Sequence, residues 1–140
     1  MPHVVLEYSD NLPDRPDLRR VLLEVHEVLV ATGAFAREDI KSRAIRHDIY
    51  AVADGAAERG FVALEIRILE GRSAEVKAAA AEGAMAVLER AFAQSLARLP
   101  VGLSVEIRDM ERASYRRRRG LRRPPRPREL AGGPARLCQA

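Results

Sequence analysis

Phe61–Leu69 (FVALEIRIL), then Gly71-Arg72-Ser73, then the alanine-rich run from Ala74 to about Leu99, decide the fold of this chain. The first nine residues alternate: Phe61, Ala63, Glu65 and Arg67 lie opposite Val62, Leu64, Ile66 and Ile68, the period-two pattern of a strand. After Ser73 the pattern changes to the three- and four-residue spacing of a helix, continued by Leu88, Phe92 and Leu96, and the alanines raise its intrinsic propensity. Ser73 predicts the N-cap and Pro100 the stop. Val101–Ile107 (VGLSVEI) predicts a further strand, with Val101, Leu103, Val105 and Ile107 on one face. A strand–helix–strand succession of this kind makes a right-handed crossover and leaves its two strands parallel.

The same unit stands upstream. Pro2–Tyr8 (PHVVLEY) reads as a strand ended by Ser9-Asp10-Asn11-Leu12-Pro13. Asp14–Ala31 reads as a helix with Leu18, Val21, Leu22, Val25, Val28 and Leu29 along one stripe. Asp14 or Asp17 caps its start, and Gly33 suits a left-handed C-terminal position. Ile40–Val52 (IKSRAIRHDIYAV) reads as a strand with Lys41, Arg43 and Ile45 on one face and Ser42, Ala44 and Arg46 on the other, followed by a turn at Asp54-Gly55. The order is β-α-β-β-α-β, an α/β (α+β) fold with one sheet and two helices on one face. On this reading much of Val4, Leu6, Val62 and Leu64 lies on the uncovered face, which predicts an oligomer.

With 140 residues the chain has room for one domain, placed at residues 1–111, and its 47% apolar content is that of a globular protein. The net charge of +4 is unevenly spread. Residues 112–140 hold ten arginines and one glutamate, a net +9, whereas residues 1–111 hold 14 basic and 19 acidic groups, a net −5. The segment 112–140 therefore reads as a flexible Arg/Pro-rich extension without core-forming period. It carries the rival reading of a polyanion-binding module, with nucleic acid as the partner, through counterion release. Only Tyr115 interleaves its arginines with an aromatic ring, and no nucleic-acid-binding motif accompanies them. One cysteine, Cys138, excludes an internal disulfide framework and a multi-cysteine metal site. No apolar run reaches the roughly 18 residues of a membrane span and no secretory leader is visible, so the expected location is the cytoplasm. His3, His26 and His47 lack ligand spacing and read as surface or packed residues, so no metal or cofactor is expected.

The feature that points to chemistry is Pro2. Initiator methionine is normally removed before a small residue, which would leave Pro2 as a terminal secondary amine at the start of a strand. An α-amino group titrates near 8, and neighbouring cations and desolvation lower it toward the range a general acid–base group needs. The sequence resembles the 5-carboxymethyl-2-hydroxymuconate isomerase family of the tautomerase superfamily. The likeness runs through Pro2-His3 and Leu6-Glu7-Tyr8-Ser9-Asp10-Asn11, Ala31-Thr32-Gly33-Ala34-Phe35, Ile40-Lys41-Ser42-Arg43 and Ala53-Asp54-Gly55. It continues through Gly71-Arg72-Ser73, Val105-Glu106-Ile107 and Ser114-Tyr115, covering most of residues 2–119.

The resemblance implies a tautomerase-like trimer whose interface buries the open sheet face, with Pro2 as the proton shuttle and Arg72 binding a substrate carboxylate. Lys41 stands where some members carry a second arginine, which keeps the charge and loses the bidentate fork. Arg43, two residues along on the same face, is its joint candidate. The function so implied is cofactor-independent ketonisation of an unsaturated 2-hydroxy polycarboxylate within aromatic-compound catabolism, such as homoprotocatechuate breakdown. A tautomerase of a smaller enol such as that of phenylpyruvate is the alternative. The segment around Tyr115–Arg119 is expected to follow the family's chain end, which commonly crosses to a neighbouring subunit.

Overall fold

A computed structural model describes residues 1–121. The remainder of the expected extension, 122–140, including Cys138, lies outside the described residues. The elements are β1 (His3–Ser9), α1 (Leu18–Ala31), β2 (Lys41–His47), β3 (Gly60–Leu69), α2 (Ala74–Ala91), α3 (Ala93–Arg98) and β4 (Val101–Met110). Short 3-10 turns occupy Arg37–Asp39 and Arg112–Ser114. The four strands form one mixed sheet in the order β2-β1-β3-β4. Within each half the strands are parallel, and the halves join through an antiparallel β1–β3 pair.

This register positions the site. His3 pairs with Lys41 across the parallel ladder and with Arg67 across the antiparallel one. The beginnings of β1 and β2 and the end of β3 therefore meet at one end of the sheet. The amino terminus, Lys41 and the turn that follows β3 are neighbours for that reason.

Val4, Leu6, Val62, Leu64, Ile66 and Ile68 are buried to 2% exposure or less, under Val21, Leu22, Val25 and Leu29 of α1 and Ala80, Ala84, Val87 and Leu88 of α2. This corrects the expectation that Val4, Leu6, Val62 and Leu64 occupy the uncovered face. Both amphipathic helices bury the sheet face richer in branched aliphatics, because each such side chain withdrawn from water is worth roughly 1.5–3 kcal/mol. The opposite face carries His3, Val5, Glu7, Lys41, Arg43, Glu65 and Arg67 and is mostly half-buried or exposed. The two helices approach closely at Gly83, where an added Cβ would stand 2.5 Å from Val28 Cγ1.

β4 runs on to Met110, past the expected Ile107, and three other boundaries differ from the sequence reading for a local reason. α1 starts at Leu18: Asp17 is its N-cap, accepting from Arg20 N at 3.3 Å, while Asp14 faces elsewhere. β2 ends at His47, and the chain then turns through Ala53 and Gly55, both at positive φ, where Asp54 accepts from Ala56 N and Arg59 Nε. The expected single helix 74–99 breaks at Phe92, whose φ of −116° and ψ of 31° leave the helical range. The Asp14 carboxylate supports that break by accepting from Gln94 N at 3.1 Å and Ser95 N at 2.9 Å, the first turn of α3. Ser73 caps α2 through Val76 N, and Gly33 takes the left-handed position after α1 with φ 77°, both as expected. Among the described residues no helix is long and apolar enough to cross a membrane.

Candidate active site

Pro2 is fully buried, and its carbonyl accepts from Lys41 N at 3.1 Å, which pins the amino terminus to the start of β2. Met1 precedes it, so the Pro2 nitrogen is an amide here and the free amine is that of Met1. That amine is held below the ordinary α-amine range. Burial, which disfavours its charged form, is the largest cause; Asp39 opposes it, while Arg72, Arg117 and Lys41 add repulsion in the same direction as burial. The Met1 sulfur lies 3.7 Å from Lys41 Nζ and touches Arg117 Nη1. Together with His3, Asp39 and Tyr115 these residues line a cavity of about 880 Å³.

Arg72 arrives from the other half of the fold. Gly71 turns the chain after β3 with φ 107°, a conformation that L side chains rarely adopt. The Arg72 guanidinium then stacks 5.2 Å from the Phe35 ring centroid and donates from Nη2 to Ala34 O at 3.3 Å. The Ala34-Phe35 segment after α1 thus serves as a platform, fixing a planar donor fork while leaving other donors uncommitted.

Lys41 and Arg43 part company. Lys41 lines the cavity and acts on the terminal amine, whereas Arg43 stands opposite Val5, two pairs further along the sheet, where it acts on His3. The structure therefore gathers Pro2, Lys41 and Arg72 at one corner and sets Arg43 beside it. His3 is held below the usual imidazole range by burial, then by Arg67, Arg43 and Lys41, and its Nε2 lies 3.2 Å from Tyr115 Oη. The other two histidines are occupied locally: His26 Nε2 meets Ser42 Oγ at 2.7 Å and His47 stands 3.4 Å from the Glu7 carboxylate.

Asp39, Tyr115 and Arg117 are the residues that sequence reasoning did not single out for the site. Asp39 pairs with Arg117 Nη2 at 3.3 Å and with Arg119, drawing the segment after β4 across the amino terminus of its own chain. Arg117 lies within four consecutive arginines, Arg116–Arg119, whose identity gives no sign of which one turns inward.

A profile of the 5-carboxymethyl-2-hydroxymuconate isomerase family matches residues 2–122. The chain belongs to that family. A 5-carboxymethyl-2-hydroxymuconate Delta-isomerase from Escherichia coli is 33% identical over 110 residues, spanning 79% of this chain and 87% of the relative. The crystal structure of a 5-carboxymethyl-2-hydroxymuconate isomerase from Deinococcus radiodurans R1 superposes with a TM-score of 0.78 at 36% identity, covering 85% of this chain and 90% of that one. A fused 4-OT symmetric trimer shares the fold alone, with a TM-score of 0.66 at 13% identity over 85% of this chain and 94% of its own. Membership in the 5-carboxymethyl-2-hydroxymuconate isomerase family bears out the expected isomerase class and tautomerase-like fold. The family match also runs twelve residues past β4, across the segment that bears Tyr115 and Arg117.

Proposed function

We propose that this isomerase ketonises an unsaturated 2-hydroxy polycarboxylate without a cofactor, with Pro2 as the proton shuttle after removal of Met1. The observation that carries the reading is the cluster of Lys41, Arg72 and Arg117 around the amino terminus, which adds to burial, against Asp39, in depressing the Met1 amine. A terminal Pro2 amine in that setting is a base suited to neutral pH. It removes the proton of the enol hydroxyl and returns it to a carbon of the conjugated system. Arg72 binds a carboxylate through its fork, and the cations together stabilise the negative charge that develops on the dienolate. Three cations at one corner suit a multiply charged substrate better than a monocarboxylate enol of the phenylpyruvate type. The names of the relatives point the same way, to a 5-carboxymethyl-2-hydroxymuconate-like substrate and so to homoprotocatechuate breakdown.

The working form is a homotrimer. A trimer of this fold supports it. So does the uncovered sheet face, where Ile45 is 41% exposed and Arg67 Nε, 3.4 Å from the Glu65 carboxylate, is buried without a hydrogen-bond acceptor among the described residues. An expectation of the apolar set Val4, Leu6, Val62 and Leu64 at that interface is not part of the proposal, since those residues form the core.

The test follows the ultraviolet decay of a 2-hydroxymuconate-type dienol with protein whose first residue, by intact mass, is Pro2. Acceleration well above buffer is expected, with loss of about 100-fold or more in Pro2→Ala. Protein that retains Met1 should be inactive, because its Pro2 nitrogen is an amide. A Pro2→Ala rate equal to that of the parent would refute the mechanism.

A further inference from the structure

Lys41 leaves this site with a point charge at the position that would recognise a second carboxylate, and the segment after β4 supplies a guanidinium on the same spot. The Met1 side chain marks the place: its sulfur is within 3.7 Å of Lys41 Nζ and in contact with Arg117 Nη1. Whatever replaces Met1 beside the Pro2 nitrogen meets both cations at once. Arg117 is also held for the task. Its Nη2 is turned to Asp39 at 3.3 Å while Nη1 meets the Met1 sulfur, the residue lines the cavity, and its side chain is only 27% exposed. Arg119 shares the same carboxylate, so Asp39 is a two-arginine anchor for the segment. Arg72, on its Phe35 platform, approaches the amino terminus from the opposite half of the fold.

The geometry points to Arg117 as a substrate-binding residue that, with Lys41, takes the carboxylate distal to the one held by Arg72, and to Asp39 as the residue that positions it. The ligand class is a conjugated dicarboxylate or tricarboxylate long enough to bridge the two cationic groups. This rests on the reading of the site as that of an enol isomerase in which Pro2 is the first residue. It assigns substrate selectivity to a part of the chain that composition alone marks as a solvated basic run. A planar donor fork adds an orientation that lysine cannot impose, which is why the guanidinium matters beside Lys41.

The experiment measures binding by calorimetry, so that it does not depend on turnover. The probes are cis,cis-muconate, a dienedicarboxylate that lacks the enol hydroxyl, and sorbate, a dienoate with one carboxylate. The protein is the full chain, trimmed with methionine aminopeptidase wherever intact mass shows Met1. Arg117→Ala is expected to weaken muconate at least tenfold and sorbate less than twofold. Arg117→Lys should recover part of the muconate affinity, and Asp39→Asn should lose selectivity in the same direction by a smaller factor. Muconate binding that is unchanged in Arg117→Ala, absent from the parent, or weakened equally with sorbate would overturn the assignment. Arg117-dependent muconate binding in a protein that turns over no dienol would sink the isomerase reading and keep this one. Turnover that depends on Pro2 together with Arg117-independent binding would do the reverse.

Discussion

The two ends of the sheet are both polar, and they use polarity in opposite ways. At the far end Ser9 Oγ accepts from Phe61 N at 2.9 Å, and Asn11 Nδ2 donates to Ala57 O and Arg59 O at 3.0 and 2.8 Å. The Asp14 carboxylate there closes the first turn of α3. Apart from Asn11 Oδ1, which has no partner among the described residues, these donors and acceptors hold loops against strands. At the other end Lys41, Arg72 and Arg117 converge on the amino terminus, with Asp39 as the carboxylate among them. Asp39 answers Arg117 and Arg119 there, while Lys41 and Arg72 have no carboxylate partner among the described residues, so the corner keeps a positive potential suited to an anion. Polar groups at one end close on each other, and those at the other leave charge for a ligand.

Substitutions should separate the two ends. The largest effect is expected at Pro2: Pro2→Ala lowers kcat about 100-fold or more, while the melting temperature falls by only a few degrees. Arg72→Ala should lower kcat/KM by about 10- to 100-fold, since a charge-assisted hydrogen bond to carboxylate is worth about 1.5–3 kcal/mol. Arg72→Lys should regain part of that loss. A thermal melt of Arg72→Ala that collapses alongside activity would show the guanidinium to be a structural clamp on Phe35 instead.

At the far end the signature reverses. Asp14→Ala leaves two backbone N–H groups of α3 without their acceptor and should cost about 1–3 kcal/mol in chemical denaturation, with KM unchanged. If Asp14→Ala altered KM more than stability, the contrast between the ends would fail. The smallest effect is in the pH profile. A base works unprotonated, so the rate rises with pH through its pKa and then levels off. The cations that add to burial in holding the Met1 amine low stand around the Pro2 nitrogen that takes its place, so the acid limb of kcat/KM should lie below the ordinary α-amine value. Removing one of those cations in Arg117→Ala should move the limb upward. A limb that stays fixed would mean that the cations do not tune the base.

Local rules made much of this molecule readable. The caps at Asp17 and Ser73, the left-handed Gly33 and the Asp54 turn each depend on residues a few positions apart, and each is found where expected. Pro2 is visible as a candidate because a Met-Pro start is a short motif, and Arg72 because the Gly-Arg-Ser turn resembles that of the family. Arg43 was set beside Lys41 because strand parity puts both on one face, but a cavity at one end of a sheet admits the first residue of a strand and passes by the third. Arg117 is hidden because four identical neighbours differ only in what the folded chain places opposite them: Asp39 for Arg117 and Arg119, and the Met1 sulfur for Arg117. Asp14 reads as a cap for the nearest helix, and it caps one about eighty residues away instead.

The sequence by itself determined two strand–helix–strand halves, their order and the parallel pairing within each, because apolar period, capping and crossover handedness act along short stretches of chain. Tertiary structure alone decided that β1 and β3 lie antiparallel, and this brings the turn bearing Arg72 to the amino terminus. It also decided which sheet face the helices cover and where the helix breaks at Phe92. Those outcomes rest on pairings across many tens of residues, where the winning contact is the one that buries the most apolar surface while satisfying the polar groups buried with it. The cationic corner is such an outcome: Lys41, Arg72 and Arg117 come from three separate segments, joined only when the two halves close into one sheet.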